Sequence, residues 1–196
     1  VVTFIMKMES LSYIEAIEVL AKRCGITVPK EARERYRKTD EVSREKVLAM
    51  NLDAAKFFRE QLNSTRAPME YLLNRGYSPA LIRRFGLGYA PNEFGALTGH
   101  MLGLGYSEKE LSTAFLCGIS KKNGKPYDYF RGRIIIPIID TQKDVIAFGG
   151  RVLDNSMPKY LNTSDTPAFK KSRSLFALNY AKASCADELI LCEGYM

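Results

Sequence analysis

The chain has 196 residues, of which 46% are hydrophobic and 26% are charged. This composition is ordinary for a folded domain with a buried core, and it excludes an intrinsically disordered chain. The sequence contains neither an apolar run long enough to span a membrane nor the pattern of an export signal, so neither a membrane protein nor a secreted protein is expected.

The charge is positive and unevenly distributed. The chain carries 29 basic and 22 acidic residues, and residues 120–173 alone hold 11 of the basic and 5 of the acidic ones. Such an excess is typical of proteins that bind polyanions, although a solvated surface that aids solubility explains it equally well at this point.

The cysteines and the histidine limit the kinds of metal site and catalytic pair that the chain can form. The four cysteines are scattered without the C-x-x-C spacing of a zinc site or a redox pair, and we expect reduced thiols of a cytosolic protein. His100 is the single histidine, and its sequence neighbours include no obvious nucleophile. Catalysis by a Ser-His or Cys-His pair is therefore not expected.

The first 45 residues predict one helix and a charged connection. The opening Val1–Met6 is apolar and has no initiator methionine, as expected of a piece of a longer protein. Ser12 and Glu15 have capping-box spacing, and Gly25 is expected to end the helix that follows. Its apolar residues recur with helical spacing: Ile14, Ile17, Leu20, Ala21 and Cys24.

Three further helices are predicted before the pattern changes. An apolar stripe indicates a helix over about residues 41–63, and a short helix is expected over 68–74. The next helix begins after Ser78, because serine caps it and Pro79 takes its first position, and Gly86 ends it. The stripe of the long helix consists of Val47, Leu48, Ala55, Phe58 and Leu62. Ser107-x-x-Glu110 is another capping box.

Short β-type runs follow from residue 115. Asn123-Gly124, a strong hairpin-turn dipeptide, lies between residues 115–120 and 127–130. The segment RIIIPIID (133–140) predicts a buried strand, in which Pro137 lacks a ladder donor and indicates an edge or a bulge.

The remaining elements complete an α+β plan. Residues 145–148 are the expected partner strand across a turn at 141–144. A long polar loop precedes a helix over 174–181, and residues 189–192 are expected to form the last strand. The prediction is therefore N-terminal helices followed by a mixed, mainly antiparallel β-sheet.

Basic residues cluster at three places within residues 120–173. Arg131 and Arg133 open one strand, Arg151 is expected to close the next after Gly149-Gly150, and the others lie in the loop beyond it. These others are Lys159, Lys170, Lys171 and Arg173. Cations beside glycines let a phosphate approach the backbone, and interleaved aromatic rings suit unpaired bases. The pattern favours nucleic acid, with a nucleotide or other phosphate ligand and a plain surface as alternatives.

Four segments together resemble the bacterial replicative DNA primases of the DnaG type, in the N-terminal part of their catalytic core. They are YLLNRGYSPALIRRFGLGYAP (71–91), YFRGRIIIPIID (129–140), VIAFGGRVLDNSMPKYLNTSDTPAFKKSRSLFAL (145–178) and LILCEGYM (189–196). Each segment alone is a weak signal, whereas GGRVL, PKYLN and EGYM in this order are specific.

The resemblance implies a domain organisation. Residues 1–28 correspond to the closing strand and helix of a zinc-binding domain whose ligands lie upstream, and residues 29–40 to a linker. Residues 41–184 correspond to the N-terminal α+β subdomain of the catalytic core. Residues 185–196 correspond to the first strand of a Toprim subdomain, whose Asp-x-Asp pair is absent from the sequence.

The resemblance also implies site residues. Glu193 matches the Toprim glutamate, expected to act as a ligand of Mg²⁺ or Mn²⁺ or as an acid/base helper. Because Mg²⁺ usually takes one or two carboxylates with water and phosphate, one glutamate cannot assemble two ions, and we expect this chain alone to be inactive. Arg75, Arg151, Lys159 and Lys171 match basic positions of the template and nucleotide groove. Arg131, Arg133, Lys170 and Arg173 are expected to raise the local potential.

The sequence thus predicts part of a DNA-dependent RNA polymerase of the primase type, a nucleotidyltransferase of the cytoplasmic bacterial replisome. The expected partners are single-stranded DNA, nucleoside triphosphates and the RNA–DNA hybrid, with no membrane. The replicative helicase and single-strand-binding protein would be bound through regions outside the chain, as zinc would be. The alternatives are a non-catalytic module that binds single-stranded nucleic acid, in which Glu193 is structural, and another Toprim enzyme, such as a topoisomerase or a nuclease.

Overall fold

The computed structural model describes residues 1–8, 11, 13–29, 42–184 and 188–196. The chain divides into two compact units, residues 1–42 and 43–196, which are treated separately below. In the described ranges, no helix combines the length and the apolar character needed to cross a membrane.

The first unit contains two helices, α1 (Val2–Met8) and α2 (Tyr13–Arg23). Helix α2 confirms the predicted helix, although Ala16 is its buried residue and Cys24 is exposed. The expected strand at the start of the chain is wrong, because residues 2–8 are helical. A helix satisfies its backbone hydrogen bonds within the segment, whereas a strand needs a partner. Ser12 of the predicted capping box and the connection over residues 30–41 lie outside the described residues.

The second unit contains six helices in its described part, and local sequence signals explain several of their ends. The Ser43 hydroxyl accepts a hydrogen bond from the Lys46 amide at the start of α3, and Ser107 forms a complete capping box with Glu110. The helices are α3 (Arg44–Ser64), α4 (Arg66–Asn74), α5 (Pro79–Phe85), α6 (Ala96–Gly103), α7 (Glu108–Thr113) and α8 (Leu178–Ala183).

Two of these helices differ from expectation. Helix α8 starts at Leu178, four positions after the predicted start at Ser174, and a 3₁₀ turn at Lys171–Arg173 precedes it. Helix α6 was not predicted, because the residue at its N-cap is Gly95, which offers no capping side chain. Its first amide groups instead donate to the carboxylate of Asp128, at 2.8 Å from Leu97 and 2.9 Å from Thr98. Burial raises the pKa of Asp128, and these hydrogen bonds offset part of that increase.

Four antiparallel strands form the main sheet in the order β1-β4-β5-β6, and β2 pairs with β3 in a separate hairpin. The strands are β1 (Gly88–Ala90), β2 (Cys117–Ile119), β3 (Pro126–Asp128), β4 (Arg133–Ile139), β5 (Val145–Val152) and β6 (Tyr160–Asn162). The hairpin around Asn123-Gly124, strand β4 and its partner β5 confirm the sequence predictions. The α+β class is confirmed with them.

Pro137, which lacks an N–H donor, lies at the edge position that the sequence predicts. Strand β1 pairs with residues 133–135 of β4, so no described strand pairs with β4 on that side at Pro137. The register between β4 and β5 also shifts at Ile138–Ile139, next to the proline.

Two strand predictions are corrected. Strand β5 runs on to Val152, so Gly149-Gly150 lies inside the strand rather than closing it. Residues 189–192 do not form a strand in the described structure, and Leu189, Ile190 and Leu191 are 67%, 92% and 84% exposed. A strand requires a hydrogen-bonded neighbour, and neither edge of the described sheet pairs with this segment.

Helix α3 lies directly on the sheet. The ring of Phe58 meets that of Phe148 edge-on, with ring centroids 5.5 Å apart. A Cβ atom at Gly88 in β1 would stand 2.6 Å from the Phe58 Cβ and 2.8 Å from its carbonyl carbon. Because these atoms are backbone or next to it, they cannot rotate away, and only glycine fits at this contact.

Gly88→Ala is expected to lower the free energy of unfolding by about 1–3 kcal/mol, because it forces α3 away from β1. Gly99→Ala is the matched control: Gly99 lies in α6, and an added Cβ meets no atom within 4 Å. The control is expected to stabilise the protein by about 0.5–1 kcal/mol. Urea unfolding midpoints of the two variants measure both effects. Equal midpoints would contradict the close approach of α3 to β1.

Candidate nucleic-acid interface

Arg151 is held in place by two tyrosine hydroxyl groups. It lies in β5 opposite Tyr160 of β6 and is only 9% exposed. Its Nε donates to the Tyr71 hydroxyl oxygen at 2.9 Å, and its Nη1 donates to that of Tyr160. Its guanidinium carbon lies 5.0 Å from the centroid of the Tyr160 ring. These contacts tie β5 to both α4 and β6.

Tyr71 joins a second arginine to the first. Arg75 follows α4 directly, and its Nη1 donates to the Tyr71 hydroxyl oxygen at 3.1 Å. The guanidinium group of Arg75 also lies over the Tyr71 ring, 5.6 Å from its centroid. Arg75 and Arg151, distant in sequence, therefore meet at one oxygen atom. We refer to Tyr71, Arg75, Arg151 and Tyr160 as the Tyr71 cluster.

The contacts within the cluster shift the pKa values of Tyr71 and Arg151 in opposite directions. Burial raises the pKa of Tyr71, but the hydrogen bonds from Arg151 and Arg75, together with their charges, outweigh burial and hold that pKa below its ordinary value. Burial lowers the pKa of Arg151, whereas its bonds to Tyr71 and Tyr160 more than compensate and raise it overall. Within the described part of the chain, neither arginine pairs with a carboxylate, so two positive charges are left uncompensated.

Arg133 lies on the opposite face of the sheet from Arg151. Arg133 is 8% exposed, and its Nη1 donates to the backbone oxygens of Gly150 at 3.4 Å and of Lys159 at 3.5 Å. Its partner in the ladder is Val152, one residue from Arg151, and adjacent strand residues point to opposite faces. Burial lowers the pKa of Arg133 and the charge of Arg131 lowers it further, partly offset by Asp154.

Arg131 belongs to an aromatic surface beside the hairpin. Its guanidinium carbon lies 4.7 Å from the ring centroid of Phe94 and 5.5 Å from that of Tyr127, and its Nη1 donates to the backbone oxygen of Asp128. Phe94 is 73% exposed. Arg131 and Arg133 therefore do not belong to the Tyr71 cluster.

The other basic residues predicted for the site are exposed and lie just before β6 or in the loop after it. They are Lys159, Lys170, Lys171 and Arg173. Lys159 precedes β6, and no side-chain contact is formed by it within the described residues. Lys170 pairs with Asp165 at 3.5 Å, and the Lys171 amide donates to the same carboxylate at 3.0 Å. Arg173 closes the 3₁₀ turn. An exposed pair such as Lys170–Asp165 contributes little stability, so Lys170 remains available to a ligand.

Glu193 is exposed, and its side chain contacts no partner in the described ranges. The segment that carries it is anchored by Tyr195, whose half-buried ring meets that of Phe176 with centroids 5.0 Å apart. A Cβ atom at Gly149 would come within 2.9 Å of the Tyr195 ring. Gly149 and Arg151 are two apart in β5 and so share a face. The anchor of Glu193 and the Tyr71 cluster therefore lie on the same face of the sheet.

The carboxylates present do not form a complete magnesium site. In the described ranges, no group of three or more His, Cys, Asp or Glu residues is placed to hold a metal ion. One carboxylate such as that of Glu193 does not complete a Mg²⁺ site, because Mg²⁺ bound through so few protein groups relies on further carboxylates or on substrate phosphates.

Sequence reasoning missed Tyr71 and Tyr195 as parts of the site. Tyr71 is the first residue of the segment 71–91, and the signal that could have identified it is its spacing of four from Arg75, which places both on one face of a helix. Tyr195 follows Glu193 within EGYM, and no local pattern reveals that it packs on Gly149.

Known proteins match the chain over nearly all of its length. A family model, DNA primase catalytic core, N-terminal domain, matches residues 57–182. A curated DNA primase of Clostridium acetobutylicum is 43% identical over 197 aligned positions, covering 100% of this chain and 33% of that protein. The chain thus spans about a third of the length of the curated relatives it matches.

Solved structures agree with this match. The DnaG primase catalytic domain bound to ssDNA is 33% identical, with a TM-score of 0.73, covering 78% of this chain and 50% of that one. The Aquifex aeolicus primase, with zinc binding and RNA polymerase domains, is 35% identical, with a TM-score of 0.64, covering 93% and 44%. The resemblance inferred from four motifs is confirmed, and the chain belongs to the family of DNA primase catalytic core N-terminal domains.

Proposed function

We propose that the chain supplies the template-binding and nucleotide-binding part of a primase, which synthesises short RNA primers on single-stranded DNA. The observation that carries the proposal is the shared face of β5. Arg151 of the Tyr71 cluster and the Gly149 contact of Tyr195 lie on it, with Glu193 two residues from Tyr195. Phosphates would be held by the arginines close to the segment that carries the proposed catalytic glutamate.

The charge of this face suits a polyanion. Arg75 and Arg151 have no carboxylate partner among the described residues, so a phosphate would be their first counter-charge. Lys159 precedes Tyr160 in the chain, and the carbonyl oxygen of Lys159 accepts from the Val152 amide at 3.2 Å, directly after Arg151. The backbone of Lys159 therefore lies next to the cluster. Lys171 and Arg173 add further exposed cations.

Catalysis requires more than the described residues contain. Primer extension is attack of a ribose 3′ hydroxyl on the α-phosphate of a nucleoside triphosphate, which divalent cations promote. We propose that Glu193 is one ligand of Mg²⁺ or Mn²⁺, as the first acidic residue of a Toprim subdomain. Its partner carboxylates, the zinc-binding domain and the surface for the helicase would lie in the parts of the relatives that this chain does not span.

The proposal places the parent protein in the cytoplasm, at the bacterial replisome, where nucleoside triphosphates and single-stranded template meet. A DnaG catalytic domain has been solved bound to ssDNA, and the likeness of this chain to it supports a single-stranded template. By itself the chain is expected to bind single strands without extending a primer.

Lys159→Ala and Lys171→Ala test the location of the template. Both side chains are exposed and outside the core, so the variants should fold normally. Each lost phosphate contact is expected to reduce the slope of log affinity against log salt by about 0.7. Fluorescence anisotropy of a labelled single-stranded oligonucleotide across a salt series measures that slope.

Lys56→Ala is the matched control, because Lys56 lies on α3 and pairs with Asp53 at 2.9 Å. It removes the same charge and should leave the slope unchanged. Affinity that does not depend on salt, or identical slopes in all three variants, would contradict a template along this face.

Tyr195→Trp tests the docking of the Glu193 segment. The chain contains no tryptophan, so this variant has a single fluorescent indole. A docked indole should emit in the blue and resist quenching by iodide. Adding Gly149→Ala should shift the emission to the red, because the new Cβ occupies the position 2.9 Å from the ring. Gly99→Ala in the same background should change nothing. Red-shifted, easily quenched emission in all three would show that the segment is not held on β5.

A further inference from the structure

The Tyr71 hydroxyl has one hydrogen-bonding group left over. A phenol oxygen accepts through two lone pairs and donates through one O–H. Arg151 and Arg75 donate to that oxygen at 2.9 Å and 3.1 Å, so both lone pairs are engaged. In the described part of the chain no group accepts the O–H proton. The two guanidinium groups direct the O–H bond of Tyr71 away from both of them.

Two guanidinium groups donate to one oxygen. They repel each other, and Arg75 is exposed, so its side chain would otherwise sample many conformations. The Tyr71 hydroxyl holds it beside Arg151, which is itself fixed by Tyr160. The Arg75 side chain therefore loses its conformational entropy on folding rather than on binding. A ligand that needs both cations binds more tightly as a result.

We infer that Tyr71 is a positioning residue that assembles Arg75 and Arg151 into one phosphate-binding site and donates its own O–H to the bound phosphate. The inference rests on the proposed function, because it assumes a polyanion on this face. A phosphate is the group that fits, since its oxygens accept from several converging donors while its charge meets two cations. The phosphate belongs to a nucleic-acid backbone or to a nucleoside triphosphate.

Tyr71→Phe removes the shared acceptor and the donor while keeping the ring that packs on the apolar cluster containing Leu72 and Ile82. Loss of hydrogen bonds to charged groups is expected to weaken phosphate binding roughly 10- to 100-fold. Tyr77→Phe is the matched control, because Tyr77 packs on the same apolar cluster and its hydroxyl makes no hydrogen bond among the described residues. That control should bind like the wild type.

A double-mutant cycle with Arg75→Ala separates positioning from mere stability. Arg75 is exposed, so its removal should not disturb folding. If Tyr71 positions Arg75, the loss caused by Arg75→Ala is smaller in the Tyr71→Phe background than in the wild type. Additive losses would overturn the inference, and so would binding by Tyr71→Phe equal to that of Tyr77→Phe.

Two ligands distinguish the sources of the phosphate. A labelled oligothymidylate reports backbone binding by anisotropy, and ATP displaces a fluorescent ATP analogue in a separate titration. Weakening confined to one ligand assigns the site to that ligand, and weakening of both assigns it to a shared position. If Lys159→Ala and Lys171→Ala weaken binding while Tyr71→Phe does not, the Tyr71 inference fails and the proposed function stands. If the wild-type chain binds neither ligand, both fail.

Discussion

Two consecutive glycines in the central strand β5 leave space for side chains that pack on both faces of the sheet. Gly149 leaves space for the Tyr195 ring on one face, and Gly150 leaves space for Phe130 and Arg133 on the other, at 2.8 Å and 3.1 Å from where its Cβ would be. Because strand residues alternate between faces, any side chain at either position would displace one of these groups. The anchor of the Glu193 segment and the seat of Arg133 thus both depend on the absence of two side chains in β5.

The two buried arginines of the sheet are satisfied in different ways, and the difference separates structure from ligand binding. Arg133 donates to backbone oxygens of Gly150 and Lys159, so it holds β5 to the loop before β6. Arg151 donates to phenol oxygens, which are neutral and leave its charge uncompensated. A carboxylate in the place of Tyr71 would bind Arg151 more tightly but would neutralise the face that a phosphate must approach.

Local signals in the sequence predicted most of the helices and the central strands, and the failures have a common cause. Ser78, Ser107 and the Asn123-Gly124 turn act within a few residues, so their effect can be read directly. Strands β1 and β6 have three residues each and exist through pairing, and α6 is capped by Asp128 from a distant hairpin. For the site, the motifs identified Arg75 and Arg151. The predicted strand ended before Gly149-Gly150, so the sequence did not indicate the face of the sheet on which Arg151 lies.

The position of Glu193 follows from its neighbours on both sides. Before it, Leu189, Ile190 and Leu191 are exposed and pair with neither edge of the described sheet. After it, Tyr195 is packed between Phe176 and Gly149. The distance from Glu193 to the Tyr71 cluster is therefore set by the short span to Tyr195, which packs on β5.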